Sequence, residues 1–302
     1  MIKIFKTFGG YDEISKIEKG CWINVIQPTQ EEIEKLVKDF KLPADSLQDI
    51  LDADEMPRLE FDEDYSLTIM RIPVESPEDG IPYHTIPLGI FITNKFTLTI
   101  CNQDNDTLLL KQTVNGTDSY GFILRLFIRS GGLYLKHLKQ INQQTSVIEK
   151  DLEKSIKNSE LNKLLKMEKC LVYFVTSIKS NEIVLAKLRN SKKINTEINE
   201  DLLEDAIIEN RQALEMAQIY SDILSGMMDA FASIISNNLN VIMKKLTLVS
   251  IVIMIPTLVA SIFGMNVPNG MEKSFWAIPL IIISATIMST VSVMIMRKKQ
   301  WF

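Results

Sequence analysis

Histidine and cysteine are scarce in this chain. There are two histidines, His84 and His137, and three cysteines, Cys21, Cys101 and Cys170, among 302 residues. The histidines are far apart in sequence, which argues against a histidine metal centre within one chain. The cysteines form no Cys-x-x-Cys pair, so neither a zinc knuckle nor a disulfide framework is indicated, and a reducing compartment is expected. No glycine-rich Walker loop is present, so no nucleotide-driven motor is expected. No nucleophile–base constellation suggests an enzyme, and no organic cofactor is expected. The opening Met1-Ile2-Lys3-Ile4-Phe5 lacks a run of signal-peptide length, so no cleavage or export is expected. Excess positive charge is absent too: 33 Lys and Arg against 38 Asp and Glu give a net charge of -5. Non-specific nucleic-acid binding is therefore not indicated.

Two further absences organise the chain. Glycine and proline are missing from Leu133 to Ser225, and charge is missing from Leu246 to Gly264 and from Phe275 to Met296. The first marks long helices, with breaks expected near Lys157-Asn158-Ser159 and Asn190-Ser191-Lys192-Lys193. The second gives two apolar segments of about the 20 residues that cross a hydrocarbon core. Lys244-Lys245 precede the first, and Arg297, Lys298 and Lys299 form a basic tail after the second. The positive-inside rule then puts both termini in the cytosol and the linking loop outside, in a cell or inner membrane. Trp276 and Trp301 suit the two interfaces.

The first 110 residues read as mixed α/β. Trp22 to Ile26 reads as a strand, and Thr29 as the cap of a helix with Glu31 and Glu32 in its first turn. Leu59 to Val74 reads as two strands around the acidic turn Asp62-Glu63-Asp64. Ile86 to Ile92 and Phe96 to Cys101 read as a hairpin. Pro73, Pro77, Gly80 and Pro82 mark a loop carrying Glu75, Glu78 and Asp79. The expected organisation is a cytosolic α/β domain over 1–130, long cytosolic helices including a stalk over 131–245, and a transmembrane hairpin over 246–302.

One helix is expected from Glu197 to Gly264, because no stop signal interrupts it. Its soluble part is acidic: Asp201, Glu204, Asp205, Glu209, Glu215, Asp222 and Asp229 face only Arg211. Alternating steps of four and three from Asp229 select Ser233, Ser236, Asn240, Met243, Thr247, Ser250, Met254, Thr257, Ser261 and Gly264. Nearly all are polar, small or Met, where a coiled-coil seam would be apolar. Two readings are open. Small and hydroxyl residues suit a tight helix–helix contact; the same stripe in several copies around an axis would line a pore. Its continuous register from soluble to membrane segment favours the pore. Pro256 leaves the Val252 carbonyl without its usual donor, either a kink or an extra ligand.

Gly264-Met265-Asn266 closes the first apolar segment. With the long helix before it, the short loop and second span after it, and the basic tail, it resembles the signature of the CorA-type magnesium transport proteins. Met56-Pro57-Arg58-Leu59-Glu60-Phe61 also resembles a family segment, and the resemblance spans the chain. It departs at Phe263, where Tyr is usual, and at Ser261, where Gly is frequent. The outer loop lacks the usual Met-Pro-Glu-Leu, although Glu272 falls at the matching distance.

The resemblance implies a funnel-shaped homopentamer embedded in lipid, with a central pore for Mg²⁺ and also Co²⁺ or Ni²⁺. It implies an outer ion-binding ring of Gly264, Met265 and Asn266 with Glu272. It places Asn240, Met243, Leu246, Met254 and Thr257 at pore or gate levels, with Asp229 as an acidic ring below. Thr247, Ser250 and Ser261 complete the pore lining. It makes Asp205 one side of an inter-subunit regulatory Mg²⁺ site whose mate is Glu75, Glu78 or Asp79 of a neighbour. A zinc or other transition-metal transporter on the same scaffold, and a non-conducting membrane-tethered sensor, are the alternatives.

Overall fold

The structure, a computed structural model, describes residues 1–9, 12–76, 81–109, 118–154, 158–191, 199–265 and 275–299. They divide into two compact units, Met1–Gly226 and Met227–Phe302.

The first unit is built on a six-stranded sheet in the order β1-β2-β6-β5-β4-β3. Its strands are β1 (Ile2–Phe5), β2 (Cys21–Ile26), β3 (Arg58–Phe61), β4 (Tyr65–Glu75), β5 (Tyr83–Thr93) and β6 (Phe96–Cys101). Only β2 and β6 pair in parallel; the other neighbours are antiparallel. The expected acidic turn joins β3 to β4, and the expected hairpin joins β5 to β6.

Side chains alternate across the sheet with the period of two that a strand imposes. One face, with Ile23, Leu67, Ile69, Phe91 and Leu98, packs on α1 (Gln30–Phe40) and α2 (Ala44–Leu51) through Leu36, Leu47 and Ile50. The other, with Trp22, Met70, Ile72, Leu88 and Ile90, packs on three longer helices. These are α3 (Ser119–Lys154), α4 (Asn158–Asn190) and the start of α5 (Glu200–Phe263). They contribute Phe122, Phe127, Val184, Leu188, Leu203 and Ala206. α1 starts where expected: the Thr29 hydroxyl accepts from the Glu32 amide and the Glu32 carboxylate accepts from the Thr29 amide. This reciprocal pair satisfies two otherwise orphaned donors.

Three features differ from expectation. Pro73 lies inside β4, paired with Thr85, and not in a loop. β3 pairs with β4 only as far as Ile69, so beyond it one edge of β4 has no strand neighbour and a missing N–H is tolerated. α4 covers that edge. The Asn181 side chain accepts from the Arg71 amide and donates to the Arg71 carbonyl, both at 2.8 Å, and the Tyr134 hydroxyl donates to the same carbonyl at 3.1 Å.

The second difference is the start of α3. It begins at Ser119 and crosses the expected boundary at residue 130. Gly131 and Gly132 lie inside it, at a cost of about 1 kcal/mol each relative to Ala. A Cβ on Gly131 would stand 2.7 Å from Glu209 Cγ and 3.4 Å from the Glu209 backbone carbon. The glycine is thus what lets α3 and α5 approach so closely. The third is α2, eight residues after Pro43 that sequence patterning did not isolate.

α4 runs from Asn158 to Asn190; Lys157, Lys192 and Lys193 of the expected breaks lie outside the described residues. The second unit holds the rest of α5 and α6 (Ala277–Lys298). α5 has 64 residues, about 96 Å at 1.5 Å per residue, and it stays helical through Pro256.

Candidate functional site: the polar stripe of α5

Because α5 is one unbroken helix through Phe263, the four-and-three spacing from Asp229 to Ser261 is a real stripe along one side of it. Asn240, Met243, Leu246, Thr247, Ser250, Met254, Thr257 and Ser261 are all exposed in the single chain, as is Asp229. Leu246 flanks the stripe, one position before Thr247.

Burial in the second unit is confined to narrow faces. On the apolar part of α5 it falls on Val259, with Leu248, Ile251, Val252, Ile255 and Phe263 half-buried, and Phe231 is buried nearer the start of the unit; on α6 it falls on Ala285, Ser289 and Met296. Val259 is two residues from both Thr257 and Ser261, about 200° around the helix in either sense. The covered face of α5 therefore lies opposite the stripe. Ala285 and Ser289 form a small-xxx-small pair, the pattern that lets membrane helices pack closely.

Three stripe hydroxyls share one geometry. Thr247 donates to the Met243 carbonyl at 2.9 Å, Ser250 to Leu246 at 3.0 Å and Thr257 to Ile253 at 2.9 Å. Each hydrogen is taken up by the helix itself, so each oxygen presents lone pairs outward. From Asn240 to Ser261 the stripe is an acceptor surface without fixed charge, suited to a cation or to the hydrogens of its water shell.

Gly264 and Met265 end the described part of this segment, with the Gly264 amide donating to the Ala260 carbonyl at 2.9 Å. Asn266 and Glu272 fall outside the described residues, as do Glu78, Asp79 and Trp301. Lys244, Lys245, Arg297, Lys298 and Lys299 are exposed. Asp205 is exposed on α5, and Glu75 is exposed at the end of β4. Among the described residues of one chain, no three Asp, Glu, His or Cys side chains converge as a metal site.

Elsewhere the cysteines are sequestered: all three are free and buried. Burial raises all three thiols, Cys101 to about 12 and Cys170 to about 11. His137 is buried against Tyr83, its ring centroid 4.5 Å away, and burial lowers its pKa. Neither residue type lies on the stripe.

An α/β unit whose last helix continues into an apolar segment, followed by a second apolar helix, defines a class of chain with two helices long and apolar enough to cross a membrane. Comparison with known proteins narrows this class. The family model described as "CorA-like Mg2+ transporter protein" matches residues 18–299. The chain belongs to the CorA-like Mg²⁺ transporter family. It is 30% identical over 309 residues to the cobalt/magnesium transport protein CorA of Methanocaldococcus jannaschii, covering 96% of this chain and 94% of that protein. It is 21% identical over 291 residues to the protein of the same name from Thermotoga maritima, covering 93% and 83%. The complete structure of the M. jannaschii CorA magnesium transporter superposes with a TM-score of 0.80 at 24% identity, covering 100% and 99% of the two chains.

Proposed function

We propose that this chain is one subunit of a homopentameric magnesium channel, with five copies of the α5 stripe lining the pore and five α6 helices outside them. The observation that carries this reading is the position of the stripe: polar, exposed, and opposite the face of α5 that is covered. A scaffold or sensor would place an apolar seam there. Both termini lie in the cytosol, held by the basic residues that flank the spans, and lipid surrounds the outer helices.

Mg²⁺ is small, prefers octahedral oxygen ligands and loses water reluctantly. At the outer mouth, Asn266 carboxamides and the backbone at Gly264 accept hydrogen bonds from its water shell, with Met265 beside them and Glu272 in the loop. A neutral ring binds weakly enough to release the ion inward. Below it, Thr257, Ser250 and Thr247 offer the outward lone pairs described above, with Ser261 on the same stripe. Met254, Leu246 and Met243 form apolar levels that close by dewetting. Asn240 and Asp229 receive the ion at the cytosolic end. The membrane potential supplies about 4.6 kcal/mol per 100 mV for a divalent ion, so no nucleotide is required.

Mg²⁺ also regulates the channel. Asp205 on one subunit and Glu75, Glu78 or Asp79 on a neighbour are hard oxygen donors that suit this ion. The proposed site draws on two copies. Mg²⁺ between them holds subunits together in the shut state; its loss releases the repulsion of the carboxylates and shifts the population towards open. Co²⁺ and Ni²⁺ pass by the same route as hydrated ions, whereas a stripe without His or Cys lacks the imidazole and thiolate ligands a zinc path would use, its soft donors being the Met243 and Met254 thioethers.

The test of the pore is accessibility. With all three native thiols buried, a cysteine placed at Thr257 should react with a charged, water-soluble thiol reagent, and one at Val259 should not. Equal reactivity at the two positions would sink the pore assignment.

A further inference from the structure

Arg71 projects from β4 into a cavity of about 370 Å³ between the β4–β5 hairpin and α4, far in sequence from the α5 stripe and wholly within the first unit. Its position is over-determined. Its backbone N–H and C=O are both held by Asn181, and its carbonyl also by Tyr134. Its guanidinium is held by neutral oxygens: Nη1 donates to the Glu55 carbonyl at 2.8 Å, Nη2 to the Thr85 carbonyl at 2.8 Å, and Nε to the Thr85 hydroxyl at 3.2 Å. Nη2 also reaches that hydroxyl at 3.1 Å. Among the described residues no carboxylate forms an ion pair with it, and one Nη1 hydrogen has no acceptor.

Arg71 is half-buried, and partial desolvation of a guanidinium without a contacting anion carries a cost. Burial lowers the Arg71 pKa, and the nearby charges, Asp54 and Asp52 included, only partly offset it. A second cation lines the same cavity. Lys169 of α4 stands 5.7 Å over the Tyr173 ring and has no carboxylate partner among the described residues. The two cations come from different elements, and Tyr173 is part of the lining. Asp54 at the exposed rim is the opposing charge.

We propose that this cavity binds a phosphate group, either as inorganic phosphate or on a small organic ester. A tetrahedral phosphate carries about 1.5 to 2 negative charges at neutral pH and several strong acceptor oxygens. It can take the free Nη1 hydrogen of Arg71 and the ammonium of Lys169 together, the charge-assisted pairing that arginine favours. The volume exceeds what bare phosphate fills, which leaves room for an organic part against Tyr173.

The experiment is equilibrium binding of inorganic phosphate and, separately, of AMP to the purified full chain in detergent with chelator present, at low and high salt. Saturable binding of either probe is expected. Lys169→Ala, an exposed position that leaves the fold intact, should weaken it about tenfold or more, the effect of losing one charged hydrogen bond. Asp54→Asn should strengthen it by removing the repulsive charge. Tighter binding of AMP than of phosphate identifies the ester as the source, and the reverse identifies the free ion. Absence of saturable binding of both probes at millimolar concentration overturns the proposal. So does binding that neither Lys169→Ala nor Asp54→Asn alters.

Discussion

Asn181→Ala removes the side chain that closes the open edge of β4. Asn181 is 1% exposed and bonds both backbone groups of Arg71 at 2.8 Å. After truncation the Arg71 carbonyl keeps the Tyr134 hydroxyl at 3.1 Å, but the Arg71 amide is left buried without an acceptor. One orphaned buried donor costs about 1–3 kcal/mol, and the small cavity adds to it. The expected local destabilisation is about 2 kcal/mol or more, which corresponds to roughly 30-fold faster exchange of the Arg71 amide through local opening. Amide exchange is the right assay, because a chain of two units need not unfold in one step. Tyr134→Phe alone should cost less, since Asn181 still serves the same carbonyl. The double variant orphans that carbonyl as well, so its cost should exceed the sum of the two singles. Unchanged protection of the Arg71 amide in Asn181→Ala, or strict additivity with Tyr134→Phe, would refute the reasoning.

Three further outcomes are expected. Asp205→Ala should raise the Mg²⁺ concentration needed to close the channel, measured as uptake against internal Mg²⁺; an unchanged dependence removes Asp205 from regulation. Gly131→Leu should destabilise the α3–α5 contact by about 1–3 kcal/mol through overpacking, seen as faster amide exchange around Glu209 and Asn210; unaltered exchange there would mean the helices yield freely. Cys101 and Cys170, with thiols raised to about 12 and 11 by burial, should resist alkylation in the folded protein near neutral pH. They should then react on denaturation; fast labelling of the native chain would contradict their burial.

Much of this fold was legible because local chemistry and tertiary structure agree. The Thr29 capping box, the acidic turn before Tyr65 and the β5–β6 hairpin all use signals that act within a few residues. The features that escaped depend on distant partners. Gly131-Gly132 reads locally as a helix breaker and is explained only by Glu209, which lies across a helix contact. Pro73 reads as a loop residue until the end of β3 opens the edge beside it. The parallel pairing of β2 with β6 joins segments some 75 residues apart, with nothing local to announce it. The α5 stripe was legible because its spacing needs only an unbroken helix. Arg71 was not, since a single arginine in a strand looks like an edge cation until its acceptors are seen to be neutral.

The most direct measurement is Mg²⁺ entry into liposomes containing the purified protein, driven by an inside-negative potential and repeated with Co²⁺, Ni²⁺ and Zn²⁺, with and without a pH gradient. The stripe and its neutral mouth predict potential-driven Mg²⁺ entry that needs no pH gradient and is lost in Asn266→Ala, although that variant still assembles. Entry that follows the pH gradient instead of the potential, or normal Mg²⁺ entry through Asn266→Ala, would contradict the account.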